Sequence, residues 1–325
     1  MLTLEQRALR KTGIGGSDAA AICGISRWKT PMDVYFDKLS TDEEMDQPNE
    51  AMERGTTLEP FVFELLREKY NLKWMRSEKT WIHPDHPFIL ANIDGILKDG
   101  SKILEIKTSC YREGWGDVFT DQIPNEYLAQ VHHYMNVTGV EEAVVAVLFG
   151  DRSFLNLLAR MVQSEGEIRT IQAIHDLDFD LRVYIVKRNE KLGAAILKKE
   201  AAFWTENVLK RVDPSVHTID DLKLLFPSPV RSEVEADEES IRLVEAIKRR
   251  EKEIKAIEAE NEQAKKDLAA KIGEYETLIS MTGDILATWK SQSRKTLDTK
   301  ALHLQMPQIY EQFVITKPLR ILRVK

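Results

Sequence analysis

Two apolar-rich runs, Phe88–Leu97 and Lys102–Thr108, flank Lys98-Asp99-Gly100-Ser101. Asp-Gly between such runs is a strong short-range signal for a β-hairpin. With Asp99-Gly100 as the two turn residues, residues whose numbers sum to 199 face each other, so Asp94 stands opposite Glu105. Directly opposed residues carry Cβ atoms roughly 4.5–5.5 Å apart on one sheet face. A four-residue loop with the same centre keeps this register; a three-residue loop breaks it. Side chains alternate along a strand, so Lys107 shares the face of Glu105 while Leu104 and Ile106 point into the core.

Two carboxylates opposed within an apolar strand pair destabilise it unless something compensates them. A divalent cation does so, because Mg²⁺ takes oxygen ligands and is held by one or two carboxylates together with water and phosphate. The Ile106 carbonyl offers a further oxygen, and Lys107 reaches an attacking water or a scissile phosphate. Lewis acid, activated water and charge clamp are the set that phosphodiester hydrolysis needs. The competing reading is a surface hairpin whose charged side chains are simply solvated.

Three further positions favour a site. Glu59 has apolar helical neighbours in Val62, Phe63 and Leu66, where an unpaired carboxylate is costly; alternatively Thr56-x-x-Glu59 is a capping box. Gln130 shares a helix face with Tyr127 and Tyr134; taken alone it is an ordinary exposed glutamine. Ser17, after Gly15-Gly16, either presents backbone N–H groups to a phosphate or caps the helix opening at Ala19, with Ser17 or Asp18 as N-cap.

Other helices are expected over 57–70, from Pro124 to Val137, and from Asn189 to Leu209, the last with Leu192, Ile196 and Phe203 inward. Strands are expected at Ala143–Leu148 and Leu181–Lys187. Pro227, Pro229 and the acidic run 233–239 read as a linker. One long helix follows over 240–278, with a heptad-like stripe (Leu243, Ile247, Ile254, Ile257, Ala264, Leu268) suited to packing on the chain's own body or on a sister subunit. Strands Ile285–Lys290 and Leu319–Val324 around a small helix at Thr299–Leu304 complete the chain. The expected domains are thus 1–228, an α/β body with a mixed central sheet flanked by helices, and 229–325, a long helix with a small basic α+β element.

The chain carries 46 Lys+Arg against 53 Asp+Glu, which argues against indiscriminate nucleic-acid binding. The charge is uneven: residues 281–325 hold 8 basic and 3 acidic side chains, leaving room for a local basic surface. Two cysteines, Cys23 and Cys110, exclude a disulfide scaffold, a Cys-rich zinc site and a four-cysteine cluster, and fit a reducing cytoplasm. No apolar run is long enough for a membrane helix, and the first residues lack a signal-peptide core. His83 and His86 lie in a Pro-rich turn rather than a ligand set. His132 and His133 point to different sides of a helix, with room for one of them to face the site. Trp115 and Tyr111, beside Arg112, are candidates to stack on a frayed DNA end or to join the core. Arg27, Lys29, Arg54 and the C-terminal basic cluster are candidate phosphate contacts.

Taken in order, Arg10, Gly15-Gly16-Ser17-Asp18-Ala19-Ala20-Ala21, Arg54-Gly55-x₃-Glu59-Pro60, Asp94-Gly95, Glu105-Ile106-Lys107-Thr108 and Tyr127-x₂-Gln130-Val131-x₂-Tyr134-Met135 resemble the YqaJ-type viral recombinase family. These are phage nucleases related to lambda-type exonuclease, in the PD-(D/E)XK superfamily. The resemblance implies Asp94 and Glu105 as metal ligands with the Ile106 carbonyl, and Lys107 as the catalytic lysine. It further implies Glu59 as an acidic residue assisting a second metal or its water, Gln130 as the helix glutamine bordering the site, and Arg10 and Ser17 as holders of a terminal 5′-phosphate. Gln6 stands where the family often has tryptophan. The implied activity is Mg²⁺-dependent 5′→3′ digestion of linear double-stranded DNA ends, with Mn²⁺ as a substitute metal. A phage single-strand annealing protein is the implied partner, and a homo-oligomer, a ring-shaped trimer, the implied assembly. The alternatives are a structure- or site-specific endonuclease on the same core, or a non-catalytic DNA-binding or assembly protein.

Overall fold

A strand that is apolar at every position needs cover on both faces, and Ala143–Leu148 is such a strand. In the computed structural model, which describes residues 4–40, 49–70, 73–174, 179–229, 233–315 and 320–325, it lies inside a mixed sheet. The elements run α1 (Leu4–Lys11), β1 (Ile14–Gly15), α2 (Gly16–Ile22), α3 (Pro31–Leu39), α4 (Glu50–Tyr70), β2 (Trp74–Arg76), β3 (Trp81–Ile82), β4 (Ile89–Ala91), β5 (Gly95–Leu97) and β6 (Lys102–Ser109). There follow α5 (Asn125–Thr138), β7 (Glu142–Phe149), α6 (Arg152–Glu165), α7 (Glu167–Ala173), β8 (Asp180–Lys187), α8 (Glu190–Ala202) with a π-helical turn at Phe203–Val208, and α9 (Ile219–Leu225).

The main sheet has the order β2-β5-β6-β7-β8. β6 and β7 are parallel and the other neighbours antiparallel. The parallel pair needs a crossover, and α5 provides it. One sheet face (Leu104, Ile106, Val144, Ala146, Leu148) packs on Leu58, Phe61, Val62 and Leu66 of α4 and on α6. The other (Ile103, Val145, Val147, Tyr184) packs on Val131, Tyr134 and Met135 of α5. A smaller sheet, β1-β4-β3, ties the glycine segment to the strand preceding Asp94. The long interval between β7 and β8 holds α6 and α7, and the two strands remain antiparallel neighbours.

Several boundaries differ from expectation. α4 begins at Glu50 rather than 57, because Asn49 Oδ1 accepts the Met52 N–H and caps it earlier. α2 starts at Gly16 with Gly15 as N-cap. Asp18 is its third residue and its carboxylate reaches back to the Gly15 N–H (3.0 Å), so neither Ser17 nor Asp18 is the cap. The chain divides into two compact units, Met1–Leu224 and Leu225–Lys325. In the second, the long helix α10 (Glu238–Ile272) stops six residues short of 278, where β9 (Thr277–Ile279) pairs antiparallel with β10 (Ile285–Thr288). Leu243, Ile254, Ile257 and Leu268 of its stripe are exposed. Short helices α11 (Thr299–Gln305) and α12 (Pro307–Phe313) follow. Of the strand expected over 319–324, Leu319 lies outside the described residues, and 320–324 form no strand.

Candidate active site

The hairpin pairs Gly95 with Leu104 and Ile96 with Ile103, so the expected register holds, with a four-residue loop at 98–101. Gly95 is required by close approach: a Cβ there meets the Phe63 ring at 3.0 Å and the Met75 carbonyl at 3.1 Å. Asp94 sits just before β5 and its Oδ2 accepts the Ile106 N–H at 2.6 Å. Glu105 is buried; its Oε1 pairs with Lys107 Nζ and accepts from Gln130 Nε2 at 2.8 Å. Gln130 also donates to the Tyr134 hydroxyl at 2.8 Å. The second oxygen, Glu105 Oε2, is buried with no hydrogen-bond partner. Lys107 Nζ lies 5.0 Å from the Tyr127 ring centroid.

The electrostatics are those of an under-compensated anionic pair. Burial pushes the Asp94 carboxyl well above the usual range, and the Glu105 and Glu59 charges push it further. Burial likewise raises Glu105, against the pull of Lys107. Burial alone lowers Lys107, but Glu105 and Asp94 outweigh it and hold the ammonium charged. Such a pair with one unsatisfied oxygen is the donor chemistry that a hard divalent cation takes. Among the described residues no three His, Cys, Asp or Glu side chains converge tightly enough to hold an ion. Glu59 therefore acts on the pair through its charge and does not close a three-carboxylate cluster. Nor is it part of a capping box, since Thr56 and Glu59 lie inside α4.

The glycine segment joins the site through α5. A Cβ on Gly16 comes within 2.3 Å of Tyr134 Cε1, so only glycine lets α2 lie against that ring. Arg10 donates to the exposed Ser17 hydroxyl, bringing together the two expected phosphate holders. Beneath them Lys38 is buried against Asp18 (2.8 Å) and the Arg10 carbonyl (2.8 Å).

Residues 6–141 match the model of the YqaJ-like viral recombinase domain. The chain is also 31% identical over 317 residues to protein YqaJ of Bacillus subtilis (strain 168), spanning 93% of this chain and 88% of that protein. It belongs to the YqaJ-like viral recombinase family. Among solved structures it is similar to the alkaline exonuclease LHK-Exo of Laribacter hongkongensis, at 19% identity and a TM-score of 0.44, covering 64% of this chain and 97% of that one. It is also similar to a phage-related exonuclease of Haemophilus somnus 129PT, at 15% identity and a TM-score of 0.42, covering 62% and 96%. Both likenesses are too distant to bear on this chain's chemistry.

For this YqaJ-like chain the remaining candidates sort by their partners. His83 is buried, its Nδ1 accepting from the Asp85 and His86 N–H groups in the expected turn. Neither α5 histidine is on the site: His132 contacts the Leu128 carbonyl and the Asn189 N–H, and His133 contacts Glu200 and the Leu90 carbonyl. Trp115, half-buried, packs among Tyr127, Phe149 and Tyr184 at the edge of the core. Tyr111 is exposed, while Arg112 pairs with Asp180. Arg54 donates to Asn156 (3.1 Å) and Arg27 pairs with Glu126 (2.6 Å), so both are engaged within the fold. Gln6 is buried and donates to the Glu78 carbonyl. Sequence reasoning missed Lys38 and Trp28. Nothing local marks the lysine, whereas a tryptophan between Arg27 and Lys29 was a visible signal. Among the described residues no helix is long and apolar enough to cross a membrane.

Proposed function

We propose that this chain is a metal-dependent deoxyribonuclease, a 5′→3′ exonuclease on linear double-stranded DNA that works in phage-type recombination. Its product strand then passes to a single-strand annealing protein. The observation that carries the reading is the buried, unpartnered Glu105 Oε2 on the same sheet face as Lys107 and beside Asp94.

Asp94 and Glu105, with the Ile106 carbonyl, are the residues that would hold Mg²⁺ or Mn²⁺. Bound there, the cation supplies Lewis-acid activation of a phosphoryl oxygen and acidifies its water. The chain's own residues do the rest. Gln130 fixes the Glu105 rotamer by holding Oε1, so the other oxygen stays turned to the site. Lys107, paired with Glu105 on the same face, serves as a charge clamp on the phosphate. Glu59 adds negative charge that orients the attacking water. Arg10 and Ser17 form a short cationic, hydroxyl-bearing patch suited to a terminal 5′-phosphate. Water is the nucleophile and no covalent intermediate forms. Work on DNA in a bacterial cytoplasm, and a ring-shaped trimer that encircles the duplex, complete the reading.

End-labelled linear duplex with 5′-phosphate or 5′-hydroxyl termini, and a covalently closed circle, incubated with Mg²⁺ or with chelator, form the test. The expected result is metal-dependent loss of the 5′ label, faster from phosphorylated ends, with the circle spared. Cleavage of the circle overturns the exonuclease reading, and activity in chelator overturns the metal.

A further inference from the structure

Trp28 is 65% exposed, yet its ring is placed. Its centroid lies 6.1 Å from that of Tyr127, the planes tilted by 36°. Tyr127 also stacks on Trp115 at 5.4 Å and 30°. Lys107 Nζ is 5.0 Å from the same Tyr127 ring. Tyr127 is thus in ring contact with both Trp28 and Trp115 and within cation–π reach of Lys107, and the indole of Trp28 is left open.

The loop that presents the indole is pinned. Ser26 Oγ accepts the N–H groups of Trp28 (3.1 Å) and Lys29 (3.2 Å). Arg27 Nε is 2.6 Å from the buried Glu126 of α5, the helix that carries Gln130. Thr30 caps α3 by accepting the Asp33 N–H at 3.2 Å. An indole left 65% exposed forgoes hydrophobic burial. An exposed aromatic face beside a phosphate site is what a nucleobase needs, and base–aromatic stacking tolerates any sequence because every base has a π-face.

We propose that the outer face of Trp28 stacks on the base at a DNA end whose phosphate lies in the Asp94–Glu105–Lys107 site. This rests on the nuclease reading above and gives it the contact that selects an end: an internal base pair offers no open face. The role expected for Trp115 thus falls to Trp28, with the half-buried Trp115 packed on the Tyr127 ring that Trp28 also contacts.

The test uses the full chain and a duplex bearing a single overhanging 5′-2-aminopurine, bright because it is poorly stacked. Binding is followed by fluorescence in chelator, where nothing is cut, and hydrolysis of the same duplex is followed in Mg²⁺. Wild type is expected to quench the overhanging base. Trp28→Ala is expected to lose the quench and slow end digestion about tenfold, while Trp28→Phe restores both to within about threefold. The exposed position makes misfolding of either variant detectable as a changed melting temperature, and both are expected to melt with wild type. If wild type cuts and Trp28→Ala quenches and cuts equally well, the stacking role is wrong and the nuclease reading stands. If wild type quenches through Trp28 but never cuts, the nuclease reading fails and the base contact stands. A wild-type chain that neither quenches nor cuts sinks both.

Discussion

Glu105 is held by two side chains, Lys107 and Gln130, and still leaves one buried oxygen without a partner, a cost the fold carries only where function needs it. Glu105→Gln keeps the volume and is expected to cut hydrolysis at least about a hundredfold while DNA binding in chelator persists, read by a cleavage gel and by anisotropy. Asp94→Asn removes the charge opposed to Glu105 but keeps an acceptor for the Ile106 N–H. It is expected to raise metal-free stability by on the order of 1 kcal/mol, and to abolish the rise in melting temperature that Mg²⁺ gives wild type. A rise retained in the variant would place the cation elsewhere. His133 gives a pH signature. Its Nδ1 faces Glu200 Oε1 (2.7 Å) and its Nε2 the Leu90 carbonyl (2.9 Å), two acceptors that only the imidazolium can satisfy. Burial lowers its pKa, but Glu200 outweighs burial and the net value lies above 6.5. The folded chain therefore holds this proton more tightly than the unfolded chain. The stabilisation is complete below about pH 6.5 and is lost as pH rises through the folded value. Urea midpoints are expected to fall from pH 6 toward pH 9, and His133→Gln is expected to flatten that slope; an unchanged slope would remove the imidazolium from the account.

Helix α5 does more than bridge two parallel strands. It delivers Gln130 to Glu105, sets Tyr134 against Gly16, and carries Tyr127 under Lys107. Gly16→Ala must displace Tyr134, and with it the hydroxyl that Gln130 contacts. It is expected to cost about 1–3 kcal/mol by overpacking and to slow hydrolysis as well, measured by denaturant melts and a cleavage assay side by side. The hairpin, α5 and strands β7 and β8 were legible in the sequence because each is specified by local period and turn chemistry. Helix starts were less so. Asn49 caps α4 seven residues ahead of Thr56, and Gly15 replaces Ser17 at α2, since competing caps lie close together and packing chooses among them.

The chain's two units differ in how they are stabilised. Met1–Leu224 encloses two apolar layers about one sheet, whereas in Leu225–Lys325 almost every side chain of α10 is exposed. A fragment covering 1–228 is expected to keep a cooperative melt, while one ending at residue 213 is expected to be less stable. It lacks Asp221, which is buried and bonded to the Thr30 hydroxyl (2.5 Å) and to the His217 and Thr218 N–H groups (2.7 and 2.9 Å). Equal melting of the two fragments would deny that α9 belongs to the first unit. The hairpin register, Gly95 with Leu104 and Ile96 with Ile103, and the side on which Lys107 stands relative to Glu105 followed from the turn centre and the two-residue period of a strand. The burial of Glu105 Oε2, the meeting of Gly16 with Tyr134, and the open indole beside Tyr127 were decided only in three dimensions. Each depends on segments far apart in the chain coming within a few ångströms, and no local pattern encodes such a distance.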